Sequence, residues 1–272
     1  MLNCLADALT LKGVYLFRMG FLSKKDMILV QGFPLLDCRG DAFMYSFNAV
    51  KQILKTCIDS LVDNFIRNPF IHRCEHSFHF ELFTMLSTHK DLRDLFPIGS
   101  SGYMTSLVHK EWPEPLRRKG KRGRGKVDLA ILNREDLMDP VAASRKSGLL
   151  PQRVRPFKEI EVFTRGFLMP AFIVELGLNY KAATHLRPDH DKLLNSGYSK
   201  DTKDRAAYLV HLWQPHKGIK DKTDKNDKKG YEVEDLEALI GTAKVEVAVA
   251  VFTDSHIWVK HLSDKVLTGR PL

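Results

Sequence analysis

Two stretches decide how this chain is read: Lys126-Val127-Asp128-Leu129-Ala130-Ile131-Leu132 and Ala171-Phe172-Ile173-Val174-Glu175-Leu176-Gly177-Leu178. Both are runs of strand length with apolar residues on both faces, the pattern of strands covered on both sides. Each is interrupted by one acid. A carboxylate within an apolar strand is costly to bury unless it is paired or bound to a cation. A single acid of this kind is ordinarily a solvated edge residue. Two on successive strands point to a carboxylate pair at a strand end. Hard oxygen donors suit Mg2+ or Mn2+, and Mg2+ typically takes one or two carboxylates plus waters and substrate phosphate.

Between residues 106–112, read as a strand ended by Pro113, and the first of these stretches lies Leu116-Arg117-Arg118-Lys119-Gly120-Lys121-Arg122-Gly123-Arg124-Gly125. It reads as the basic loop of a hairpin. Arg117, Arg118, Lys119, Lys121, Arg122 and Arg124 are candidate phosphate contacts, and the glycines allow close backbone approach. The alternative is a solvated loop. Upstream, Phe43, Phe47, Val50, Leu54, Cys57, Ile58 and Leu61 recur at helical steps, predicting a helix over 41–66 that Asn68-Pro69 breaks. A second helix is expected over 72–87, carrying Glu75, with a further short one before Pro97. Downstream, residues 134–168 read as an insertion. A short helix follows the Glu175 strand, with Pro188 in its first turn and Gly197 past its end. Residues 206–213 form a strand, and 215–230, rich in Lys and Asp, a surface loop. A helix near 233–240 and a hairpin of 245–252 with 257–262 complete the chain. Residues 1–70 are expected to be a mostly helical N-terminal region and 71–272 the main domain.

The 272 residues suffice for a sizeable core. The net charge of +9 favours an anionic partner, nucleic acid first. Cys4, Cys38, Cys57 and Cys74 form no CxxC pair, so neither a disulfide framework nor a zinc ribbon is indicated. No stretch approaches the roughly 20 apolar residues of a membrane span, and the start lacks a basic signal-peptide region; a cytoplasmic protein is expected. P-loop, serine-hydrolase elbow and dinucleotide fingerprints are missing from the sequence. His72, His76 and His79 share a helical face with no convincing fourth ligand for zinc.

The order helix, three strands, helix, strand, with acids at Glu75, Asp128 and Glu175, resembles the PD-(D/E)XK, or restriction-endonuclease-like, nucleases. The resemblance spans residues 72–213, roughly half of the chain. Glu75 matches the family's helix acid, Asp128 the aspartate of the second strand, and Glu175 the acid of the (D/E)xK strand. Asp191-Lys192-Leu193 resembles an element of the following helix, and Lys110-Glu111-Trp112 also resembles some members. The resemblance implies an α/β restriction-endonuclease-like core and metal-dependent cleavage of DNA, in restriction, phage defence or mobile-element biology. It implies Asp128, Glu175 and the Leu176 carbonyl as metal ligands, with Glu75 supporting a second ion. A non-catalytic nucleic-acid-binding protein and an RNase on the same core stay open, as does the choice between monomer and homodimer.

One position departs from the pattern: the family lysine, two residues after the acid, is Gly177. If Asp128 lies opposite Glu175 on an antiparallel neighbour, Lys126 lies opposite Gly177 and on the face of Asp128. Lys126 is therefore the first candidate to replace the missing lysine, Lys192 the second and Lys181 the third.

Overall fold

The computed structural model describes residues 8–11, 14–17, 46–115, 124–150, 156–179, 185–198, 203–214 and 233–272. The chain divides into two compact units, Met1–Met44 and Tyr45–Leu272. In the first, β1 (Ala8–Leu11) and β2 (Val14–Phe17) pair antiparallel.

The second unit opens with α1 (Phe47–Arg67), capped by Ser46, whose hydroxyl accepts from the Ala49 amide at 3.1 Å. Its buried side chains include Val50, Leu54, Cys57, Ile58 and Leu61, the periodic stripe of the sequence, extended by Val62 and Phe65. Next comes α2 (Glu75–Thr88), burying Phe78, His79, Leu82 and Leu86. No helix forms before Pro97. The chain turns at residues 89–92, with the Leu92 amide donating to the His89 carbonyl, and β3 (Phe96–Pro97) pairs with β4 (Met104–Thr105).

The sheet strands β5 (Val108–Pro113) and β6 (Lys126–Ile131) follow. The insertion holds three short helices: α3 (Arg134–Met138), α4 (Pro140–Lys146) and α5 (Glu159–Thr164). Then come β7 (Phe172–Leu178), α6 (Arg187–Asn195), β8 (Ala206–Trp213), α7 (Val233–Thr242), β9 (Glu246–Phe252), β10 (His256–Lys260) and β11 (Thr268–Pro271). Pro188 sits in the first turn of α6, and Gly197 follows its end at φ +85°.

One seven-stranded sheet runs β11-β10-β9-β8-β7-β6-β5. Strands β5, β6 and β7 form an antiparallel meander, and β7, β8 and β9 are parallel. All seven residues of β7 are buried, because helices cover the central strands from both sides. Phe47 of α1 stacks on Phe172 with centroids 4.6 Å apart. Glu175, three residues on, faces the other side of the sheet by period-two alternation, toward α6. Two half-buried lysines of α1, Lys51 and Lys55, hold the Glu246 carboxylate of β9 at 3.1 and 2.9 Å, fixing the helix along the sheet. Among the described residues no helix is long and apolar enough to cross a membrane.

Candidate active site

The meander ladder between β6 and β7 runs Ile131↔Phe172, Ala130↔Ile173, Leu129↔Val174 and stops there. Continued by one step, that register sets Asp128 against Glu175. The strands do not continue to pair: Asp128 Oδ2 instead accepts the Leu176 backbone amide at 2.8 Å. A carboxylate thus replaces a ladder acceptor at the point where the strands part. Glu175 beside it is buried, with 2 % of its surface exposed.

From α2, the buried His79 reaches the same point. Its Nε2 lies 3.4 Å from the Leu176 carbonyl oxygen, 3.8 Å from Asp128 Oδ2 and 3.9 Å from Glu75 Oε1. The imidazole stands between the helix acid and the strand acid. From α6, Lys192 brings its ammonium to 2.7 Å from Glu175 Oε1, in an ion pair almost wholly shielded from solvent. Burial first, and then the Asp128 charge, push the Glu175 carboxyl well above the usual carboxylate range; Lys192 pulls it back only in part.

Just ahead of α6, His185 Nδ1 lies 2.7 Å from Asp189 Oδ2. The bond to Asp189 raises the pKa of His185 against the pull of burial, and the nearby Glu75 and Asp128 charges add to the rise. On β8, His211 lies in register with Gly177. Burial, helped by the His185 charge, pushes its pKa down to about 3, so it is neutral at physiological pH. Sequence reasoning misses His185, Asp189 and His211. The i, i+4 spacing of His185 and Asp189 is the one available signal, and it is common on helices.

Glu75, Asp128, Glu175, Leu176 and Lys192 therefore converge from α2, β6, β7 and α6. Lys126 does not join them. It is still laddered to Pro113 on β5, and its exposed ammonium bonds Glu111 at 2.6 Å. The register extrapolation fails because the strands part at Asp128, so no side chain of β6 beyond it crosses over Gly177. Arg124 also departs from the sequence reading. Its guanidinium donates to the Gly166 carbonyl at 2.8 Å and to the Arg165 carbonyl, and lies 5.1 Å from the Phe167 ring centroid. It fastens the hairpin base to the insertion and is not poised for phosphate. Arg117, Arg118, Lys119, Lys121, Arg122 and Lys181 lie outside the described residues. The three histidines of the helical face separate: His72 turns to Glu81 at 2.9 Å, His79 to Asp128, and His76 to the exposed side of α2.

Among the described residues no group of three or more His, Cys, Asp or Glu side chains is arranged to hold a metal ion. A Mg2+-type cation needs no such group, since one or two carboxylates with waters and substrate oxygens suffice. The donors at hand are hard oxygens: Asp128, Glu175 and the Leu176 carbonyl. The charge of Asp128 disfavours ionisation of Glu175 in buried surroundings, and a divalent cation relieves that conflict. The donor set fits the ion. Comparison of the chain with family models, curated proteins and solved structures finds no match.

Proposed function

We propose that this chain is a divalent-metal-dependent endonuclease of the PD-(D/E)XK type, acting on DNA, with Lys192 of α6 in the place of the motif lysine. The observation that carries the reading is the meeting of Glu75, Asp128, Glu175 and Lys192 from four elements around one strand divergence. The order of those elements, an antiparallel meander followed by a helix and a strand parallel to the third, supports the restriction-endonuclease-like core.

Asp128, Glu175 and the Leu176 carbonyl would hold Mg2+ or Mn2+, with Glu75 on the far side of His79. Bound there, the ion supplies Lewis-acid polarisation of the scissile phosphate and a more acidic water. The chain's own residues do the positioning. The Leu176 amide fixes the Asp128 carboxylate. Lys192, held on Glu175, offers a fixed positive charge to the developing negative charge at phosphorus. His185, made more basic by Asp189, places a readily protonated imidazole near the acids.

The test is incubation with plasmid, linear DNA and RNA in the presence of Mg2+, Mn2+ or EDTA. Cleavage that needs the metal and is lost in Asp128→Ala and Glu175→Ala proteins with wild-type circular dichroism is expected. Cleavage that persists in EDTA or in both variants refutes the assignment. DNA binding without cleavage in either metal selects the non-catalytic alternative.

A further inference from the structure

Helix α2 turns one side into the acid cluster with Glu75 and His79. Another side faces solvent. His76 and Phe80, one turn apart on it, are exposed, and so is Arg73 just ahead of the helix. Phe80 keeps 62 % of its surface in water. A single exposed ring is ordinary on a protein surface, so its meaning here turns on what surrounds it.

The surroundings say what kind of partner fits. The His76 ring lies 6.0 Å from that of His79, so the stripe borders the acid cluster directly. On its other flank is Glu111 of β5, which is bonded by Lys126 and also feels the charges of Lys110 and His76. On that flank Lys110 and Lys126 outnumber this one acid. A path of positive charge beside a cluster of acids suits a polyanion that is drawn along it toward a metal centre.

A phosphodiester chain alone has no use for Phe80. A nucleobase does, because its π face can stack on the ring. A base inside a duplex is already stacked above and below, so the ring can take only an unpaired one. We propose that Phe80 is a stacking platform for an unpaired base of single-stranded DNA, with the adjoining backbone laid along Arg73, His76, Lys110 and Lys126. The substrate of the site would then be a single-stranded or frayed segment. The consequence for cleavage rests on the nuclease reading above; the binding surface does not.

The experiment measures binding by fluorescence anisotropy in EDTA, using the full chain, a labelled single-stranded oligonucleotide and the same sequence as a blunt duplex. Phe80→Ala should bind the single strand about 5- to 150-fold more weakly, the range for loss of one base–aromatic stack. Phe80→Trp should bind as the wild type does, and duplex affinity should not change. Replacing Lys110 and Lys126 with Gln should lower the salt slope on the single strand by about 0.7 for each phosphate no longer neutralised. Equal affinity of Phe80→Ala and wild type for the single strand, or equal weakening on single strand and duplex, overturns the proposal. So does a change of Phe80→Ala from dimer to monomer in light scattering, which would mean that a second copy covers the ring. Wild-type protein that binds single strands through Phe80 but cuts nothing with Mg2+ or Mn2+ supports this surface and sinks the nuclease reading.

Discussion

Replacing Lys192 with Met removes the ammonium 2.7 Å from Glu175 Oε1 while keeping most of the side-chain volume. Breaking a buried pair by deleting one partner typically costs about 3–5 kcal/mol, because the other charge is left in a poor solvent. Here the loss is limited, since Glu175 can take up a proton, and its pKa is already raised by burial and by Asp128. A carboxyl whose folded pKa exceeds its unfolded value contributes most favourably below the unfolded pKa. That contribution is lost as pH rises through the folded value. Without Lys192 the folded pKa rises further and the loss deepens. Lys192→Met should therefore be destabilised by about 3 kcal/mol at pH 8, or roughly 6–12 °C in Tm for a unit of this size, and by less than half of that at pH 5. Adding Glu175→Gln should recover most of the loss at pH 8, since no buried charge remains. Urea titrations of the wild type and both variants at each pH check this. Equal destabilisation at pH 5 and pH 8, or no recovery in the double variant, refutes the account of the pair.

Gly99 has φ +52°, and a Cβ there would lie 2.2 Å from the Glu159 carboxyl carbon that anchors the Ser100 amide and hydroxyl. Gly99→Ala should cost more than Gly102→Ala, where φ is +79° but nothing lies within 4 Å; thermal melts of the two separate packing from the backbone strain of roughly 1–3 kcal/mol that both share. Burial lowers the pKa of His261, but its bonds to Asp63 and Asp264 outweigh this and raise it overall. Its contribution to stability is complete below the ordinary histidine value and lost as pH rises through the raised one. His261→Gln should flatten the fall in stability across that window, and a parallel curve would argue against it. Neutralising Arg117, Arg118, Lys121 and Arg122 should reduce the salt slope of duplex binding by about 0.9 for each phosphate left without its cation. Arg124→Gln alone should leave that slope unchanged and lower Tm, because its guanidinium is spent on the carbonyls of Arg165 and Gly166.

The core strands are readable from sequence because their chemistry is local. The runs around Asp128 and Glu175 are apolar on both faces, and the structure buries them between helices. Their antiparallel register, Leu129 against Val174, agrees with the sum that places Asp128 against Glu175. The failure comes one step later. A register can be extrapolated only while the ladder lasts, and the carboxylate of Asp128 ends it by taking the Leu176 amide. Lys192 reaches Glu175 because of how α6 crosses the sheet, and helical periodicity specifies a face but not a crossing. Arg124 misleads for a related reason. In sequence it is one of several cations in a basic run; in space it meets the Arg165–Phe167 turn, roughly 40 residues away along the chain. The short helix expected between α2 and Pro97 is instead a turn at residues 89–92 that leads into the β3–β4 pair.

The parallel strands β7 and β8 end in a clip. Asn179, at φ +62°, donates its side-chain amide to Gln214 at 2.7 Å and accepts the Gln214 backbone amide at 2.8 Å, while Gln214 Nε2 donates to the His72 carbonyl at 2.6 Å. The ends of β7 and β8 are thus tied at one hydrogen-bonded point that also tethers the approach to α2. Loss of the Gln214 side chain would therefore loosen both strand ends and the entry to α2 together, and with them the helix that carries Glu75 and His79.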